Sequence, residues 1–264
     1  MIFVDSHFHL DSETFSLCKN DCENHAGVIS VCSKNELKKV HEIKQAFPLE
    51  KISVSFGAYN AYDFLENAEY VLDYGKKDLE LIEKFLKTDE IDAVGEAILD
   101  ASTQGNRRTL KAQIEIFSEE VNLAKKYQKN LIIHCVRCMM QLFEFSSLLK
   151  DIPAVVFHGF SGTVHEAEYF LKHGVNCFFS FGASLVNGKK SATSSVSSLP
   201  IERILFETDF PFCNIRGSKL SRLETLYYIY CAAAKVRSLS LEQLTKQIYF
   251  NFSNAFFNSA TNSL

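Results

Sequence analysis

Short apolar runs rich in β-branched and aromatic residues recur eight times along the chain, at residues 2–4, 27–32, 52–56, 91–95, 130–133, 154–157, 175–180 and 203–206. Each has the length and composition of a buried strand. Most of the segments between them carry helical spacing. Ser33 and Glu36 form a capping box ahead of Leu37, Val40, Ile43 and Phe47, which fall on one helical face. Leu110, Ile114, Phe117, Val121 and Ala124 keep alternating steps of four and three, the mark of a strong helix. Thr163 and Glu166 form a second capping box, and Gly174 is placed to stop that helix. Residues 220–236 and 241–250 read as helices, the second capped by Ser240. The Ser-rich stretch 191–198 reads as a loop or a poorly ordered helix ahead of the eighth strand.

Strand and helix in alternation, to a count of eight, is the pattern of an α/β protein built as a (β/α)8 TIM barrel. A chain of 264 residues suits one such barrel, which commonly uses about 250. With only four prolines and no Pro- or Gly-rich linker, residues 1–264 are expected to form a single domain.

Composition changes that picture little. At 47% hydrophobic residues the chain can fill a large core, which excludes a disordered protein. A net charge of −4 argues against holding nucleic acid mainly by excess positive charge, yet leaves open a metal site acting on phosphates. Polar residues interrupt every apolar run well short of the roughly 18–20 residues of a membrane helix. The opening residues lack a basic and then apolar leader. The eight cysteines are scattered; Cys135-x-x-Cys138 and Cys18-x-x-x-Cys22 have metal-like spacing but no second pair to complete a site. Their expected role is structural, in a reduced, cytoplasmic protein with no evident obligate protein partner.

The chemistry gathers at strand ends. Asp5, His7 and His9 alternate along the first strand and so are expected to share a face. Glu96 follows the fourth strand, His134 the fifth, His158 the sixth, and Glu207 and Asp209 the eighth. Active sites of this fold lie at that C-terminal edge. His7, His9, His134 and His158 with Glu96 and Asp209 supply enough ligands for two divalent ions sharing a carboxylate. The expected cofactors are drawn from Zn, Mn, Mg, Co or Ni, and mixed nitrogen and oxygen ligands favour Zn, Mn, Co or Ni over an all-oxygen cage. Asp5, Asp100 and Glu207 are candidates for orienting ligands. Ser161, Gly162 and Thr163 lead into a capped helix whose free N–H groups suit a phosphate, although capping alone accounts for Thr163. Packing is the expected role of Phe160, Phe210 and Phe212 among 23 phenylalanines, with base stacking as the alternative. Arg107, Arg108, Arg137, Lys189 and Lys190 are expected on a solvated surface.

The run from Asp5 through His7 and His9 to Asp11 resembles the opening D-x-H-x-H-x-D of the TatD-like metal-dependent deoxyribonucleases. Gly95-Glu96-Ala-Ile-Leu-Asp100, Ile133-His134-Cys135, His158-Gly-Phe-Ser161-Gly162 and Phe206-Glu207-Thr-Asp209-Phe-Pro211 resemble the other motifs of that family. The match runs in register from Met1 to about Phe257. The resemblance implies that His7, His9, Glu96 and Asp209 hold one metal, that Glu96 bridges to a second held with His134 and His158, and that the substrate is DNA or a small phosphoester. It also implies exonuclease-like hydrolysis of phosphodiesters. Asp209 and Glu96 are the expected catalytic residues in a metal-assisted hydrolysis, Asp209 orienting the attacking water and taking its proton. Three positions depart from the family pattern: Val136 stands where the family has Arg, Gly57-Ala58-Tyr59-Asn60 replaces G-I-H-P, and Ile98 replaces a glycine. The alternatives are an amidohydrolase acting on an amide, lactone or other phosphoester, and a catalytically silent metal-binding interaction protein. Many amidohydrolase barrels bridge their metals with a carboxylated lysine after strand four; here that position is Glu96, and the next downstream lysine is Lys111.

Overall fold

The eight apolar runs become β1 (Phe3–His9), β2 (His25–Val31), β3 (Ile52–Phe56), β4 (Ala93–Asp100), β5 (Asn130–Val136), β6 (Val155–His158), β7 (Cys177–Phe181) and β8 (Ile204–Phe206). The computed structural model describes residues 1–10, 25–46, 51–58 and 67–257. Asp11, Cys18, Cys22, Phe47, Tyr59 and Asn60, named above from the sequence, lie outside those residues. The strands are parallel and follow one another in chain order around a nearly closed barrel, the expected (β/α)8 architecture. They are buried almost along their whole length, as strands covered by a helical layer must be.

β8 is only three residues long, so the β8–β1 seam closes by other means. The chain beyond β8 runs on beside β1, where Asp209 N donates to His7 O at 3.0 Å and His9 N to Phe210 O at 2.8 Å. Lower on the seam the hydroxyl of Tyr230 takes the place of a strand partner, accepting from Val4 N at 3.0 Å and donating to Val4 O at 3.1 Å. Both bonds satisfy backbone groups that would otherwise be buried without partners.

The helical layer comprises α1 (Lys34–Ala46), α2 (Ala68–Lys87), α3 (Gln104–Lys126), α4 (Met139–Glu144), α5 (Ser146–Leu149), α6 (Val164–Lys172), α7 (Ala183–Val186), α8 (Lys190–Ser198), α9 (Arg222–Arg237) and α10 (Leu241–Phe256). No helix among the described residues is long and apolar enough to cross a membrane. The boxes at Thr163–Glu166 and Ser240–Gln243 close as reciprocal caps. Only half of the box at Ser33 forms: Glu36 N donates to Ser33 Oγ, while the Glu36 carboxylate reaches one residue further back to Cys32 N. The Ser-rich stretch forms α8, nailed down by the burial of Ala192, Ser195 and Val196.

The buried face of α3 is turned relative to its expected stripe. Leu110 and Ile114 are half-buried, while Thr109, Gln113 and Glu120 are fully buried. These polar side chains satisfy strand ends: Gln113 accepts from Asp100 N at 2.8 Å and donates to Asp100 O at 3.0 Å, and Glu120 accepts from Ala58 N at 2.8 Å. Burial pushes the Glu120 pKa up to about 8, and the Asp78 and Glu96 carboxyls add to the rise against the Ala58 bond. A carboxyl kept neutral by folding stabilises the fold fully below its ordinary pKa of 4.5 and loses that contribution as pH rises toward about 8. Glu120→Gln removes this dependence. Urea unfolding is expected to show the variant gaining on wild type by roughly 1.4 kcal/mol per pH unit inside that window. A difference independent of pH would contradict a neutral Glu120.

Candidate metal centre

Two β-bulges aim the key side chains. Between Asp5 and Phe8 the pairing of β1 with β2 slips by one residue, and between Val94 and Ala97 the pairing of β4 with β5 does the same. Such insertions re-aim side chains next to active sites. On β1 the bulge breaks the strict alternation implied by the sequence spacing, so Asp5 does not share the contacts of His7 and His9. Asp5 instead meets the Arg222 guanidinium at 2.9 Å, and the same guanidinium lies over the Phe8 ring. Ser6 and His7 both face the barrel interior, Ser6 bonding Ser180 of β7 at 2.7 Å and His7 reaching Glu96 of β4. On β4 the bulge needs Gly95. Its φ is +140°, and a Cβ there would lie 2.6 Å from Ile132 O.

Glu96 sits at the centre, 6% exposed. Its Oε1 lies 3.3 Å from His7 Nε2 and 3.2 Å from His9 Nε2. Its Oε2 lies 3.2 Å from His158 Nε2 and 3.6 Å from His134 Nδ1. Within the first pair the two Nε2 atoms are 3.2 Å apart, and within the second the facing nitrogens are 2.9 Å apart. Asp209 Oδ1 adds a carboxylate oxygen 3.7–3.8 Å from His7 and His9. Ring nitrogens and carboxylate oxygens thus gather around the Glu96 carboxylate, and three groupings have metal-ligand spacing: His7, His9 and Glu96 on one side, Glu96, His134 and His158 on the other, and His7, His158 and Asp209 across the two. Ligands about 2.0–2.2 Å from one ion stand roughly 3–3.5 Å from each other, so the donor set fits divalent cations. The six ligand residues named from the sequence are therefore brought together.

The surrounding charges set the protonation of this cluster. Burial opposes the charged form of His158, but the Glu207 and Glu96 carboxylates outweigh it and raise its pKa well above that of an ordinary imidazole. Burial likewise opposes ionisation of Glu96, yet His7 and His158 hold its pKa well below the carboxylate range. For His134, burial and the neighbouring His158 lower the pKa. A proton on His158 therefore competes with any cation for the same nitrogen.

A second layer fixes the first. Glu207 Oε1 lies 3.2 Å from His158 Nδ1 and accepts from Gly159 N at 2.6 Å, which orients the ring. Asp5 accepts from Thr208 N and Thr208 Oγ1, each at 2.8 Å, and so holds the residue next to Asp209. Asp209 itself has φ +51°, a left-handed conformation that Asp tolerates better than most residues. Asp100 does not join the cluster: its Oδ1 accepts from Ser102 N and organises its own turn. Thr163 caps α6, and Ser161 and Gly162 lie in the turn before it. The N–H groups of Gly159, Phe160, Thr163 and Glu166 are already engaged.

Two cysteines expected to be structural touch the site. The Cys213 thiol donates to Asp209 Oδ2 at 3.0 Å, and Cys32 Sγ lies 3.6 Å from His9 Nδ1. Cys213 follows Asp209 by four residues within a turn, the one sequence signal that could have found it. Burial pushes the thiols of Cys135 and Cys138 up to about 12 and about 11, which leaves them unreactive.

A parallel eight-stranded barrel with histidines and carboxylates gathered at its C-terminal mouth is the architecture of metal-dependent hydrolases. The family model described as TatD related DNase matches residues 4–257, and the chain belongs to that family. It is a TatD family metal-dependent hydrolase. An uncharacterized metal-dependent hydrolase of Methanocaldococcus jannaschii is 25% identical over 252 residues, covering 94% of each chain. A protein of Schizosaccharomyces pombe named deoxyribonuclease Tat-D is 25% identical over 221 residues, covering 72% of this chain and 70% of that one. The crystal structure of a TatD homologue from Escherichia coli superposes with a TM-score of 0.75 at 20% identity, covering 96% of this chain and 97% of that one.

The raised pKa of His158 makes a testable demand. At pH 7, loading with Zn or Mn is expected to release the His158 proton, read by calorimetry in buffers of different ionisation enthalpy. Glu207→Gln should release less and bind roughly 10–100-fold more weakly. Equal proton release and equal affinity in the two proteins would show that Glu207 does not tune the site.

Proposed function

We propose that this hydrolase cleaves phosphodiester bonds in DNA, trimming from a strand end, with two divalent cations held on either side of Glu96. The observation that carries the reading is the division of labour in that one carboxylate, whose two oxygens face separate histidine pairs. His7, His9, Glu96 and Asp209 would hold one cation, and Glu96, His134 and His158 the other. Zn, Mn, Co or Ni suits such nitrogen and oxygen donors. Cations in these positions supply Lewis acidity, polarising a phosphoryl oxygen and bringing the pKa of water toward about 7.

The chain's own groups do the rest. Asp209 is 18% exposed at its side chain and His134 28%, whereas His7, His9, His158 and Glu96 are at 6% or less. Substrate therefore approaches along the Asp209–His134 edge. The Cys213 thiol donates to Asp209 Oδ2, which leaves Oδ1 turned toward His7 and His9. Although Cys213 is exposed as a residue, desolvation of its sulfur against the cluster, with the Asp209 carboxylate next, raises its pKa, so the sulfur keeps its proton and its donor role. Asp209 Oδ1 would then orient the attacking water and accept its proton, a contribution of typically 10²–10⁴-fold. With a net charge of −4, binding rests on the mouth of the barrel rather than on a broad basic surface. The name of the S. pombe relative, deoxyribonuclease Tat-D, supports DNA as the substrate class.

Metal-loaded protein assayed on single-stranded DNA with free 3′ ends, a chromogenic phosphodiester and an amide panel separates this reading from an amidohydrolase and from a silent binding protein. DNA hydrolysis is expected, and failure on every phosphodiester would overturn the proposal. Asp209→Asn should lose at least 10²-fold in kcat while still folding and taking up metal. Full activity in that variant would remove Asp209 from its role.

A further inference from the structure

The three phenylalanines beside the candidate ligands part company in the structure. Phe160 and Phe210 are buried, 5% and 8% exposed, but Phe212 is 61% exposed. A large apolar ring left in water at the mouth of a polar site contributes little to the core, and a single exposed ring beside reactive groups suits contact with a ligand. Phe212 packs against the His9 imidazole edge to face, with centroids 4.9 Å apart and planes at 82°. Such a pair occupies at most one face of the phenyl ring and leaves the other open.

The ring is also held in place. Phe212 N and Cys213 N both donate to Asp209 O, at 2.9 and 3.1 Å, so the ring stands on the same turn as the proposed base. Beyond it, the Asn187 side chain clamps the loop, donating to Asn214 O at 3.3 Å and accepting from Arg216 N at 2.9 Å. The clamp brings the backbone of Arg216 beside the segment that carries Lys189 and Lys190. All three cationic residues are exposed and issue from this one stretch of the rim.

Resting on the reading of DNA as substrate, we infer that Phe212 is a specificity-determining platform on which the nucleobase next to the scissile phosphodiester stacks. Lys189, Lys190 and Arg216 then meet the phosphate beyond that base. Stacking on an aromatic face accepts every base, because each presents a π surface. The platform therefore selects nucleotides over simple phosphoesters without selecting sequence.

The chain contains no tryptophan, so F212W introduces a single indole at the platform. Metal-loaded F212W is titrated with dAMP, deoxyribose 5-phosphate and inorganic phosphate while indole fluorescence is followed. Saturable quenching by dAMP, with none from the two ligands that lack a base, is the expected result. In steady-state assays Phe212→Ala should raise KM for single-stranded DNA roughly 5- to 100-fold with kcat changed far less. The same variant should leave KM unchanged for an oligonucleotide that is abasic at its 3′-terminal positions. No quenching by dAMP, or an unchanged KM in Phe212→Ala on DNA that wild type cleaves, would overturn the platform while leaving the nuclease reading intact. Quenching by dAMP in a protein that cleaves no phosphodiester would uphold the platform and overturn the nuclease reading instead.

Discussion

A carboxylate buried at the mouth of the barrel is the constraint on which the rest of the site depends. Taking the charge of Glu96 out of water costs several kcal/mol unless charges or donors surround it. Four imidazoles, delivered by β1, β5 and β6, do so from two sides. Neither oxygen serves both pairs. That division requires Glu96 to project inward from β4 at one height, and the bulge at Gly95–Glu96 sets that height. The matching bulge on β1 turns His7 inward and frees Asp5 for a different task.

That task is the barrel seam. β8 is too short to pair fully with β1, so the chain after it is held by side chains as well as backbone. Buried Asp5 grips Thr208 and the Arg222 guanidinium of α9. Burial raises the Asp5 pKa, while Arg222 and the Thr208 bonds oppose the rise. Through this link the position of Asp209 depends on a helix outside the barrel. Glu207, one residue before Thr208, is pulled into the opposite role and braces His158. Three consecutive residues, 207–209, thus serve the His158 ring, the seam and the cluster in turn.

Much of this was legible in the sequence because it follows from spacing. Eight apolar runs gave the barrel, and the positions of His7, His9, Glu96, His134, His158 and Asp209 at strand ends gave the cluster. Glu207 was legible for the same reason. What escaped was whatever depends on a shift of one residue or on a distant loop. The bulge at Asp5 defeats the two-residue alternation on which its expected face was based. The turned face of α3 hides Gln113 and Glu120 behind a more apolar stripe, because tertiary demand for hydrogen-bonding partners overrode the hydrophobic pattern. Asp100, the last residue of the family-like motif on β4, is spent on its own turn. The Cys213–Asp209 contact and the exposed position of Phe212 against His9 appear only when the loop after β8 folds back over His9 and Asp209.

Sharing of Glu96 between two ions is tested most directly by anomalous diffraction from crystals loaded with Zn or Mn. Two anomalous peaks are predicted at the barrel mouth, one on either side of the Glu96 carboxylate. The first should lie against His7, His9 and Asp209, and the second against His134 and His158. A single peak, or peaks that leave either histidine pair without metal, would contradict the account.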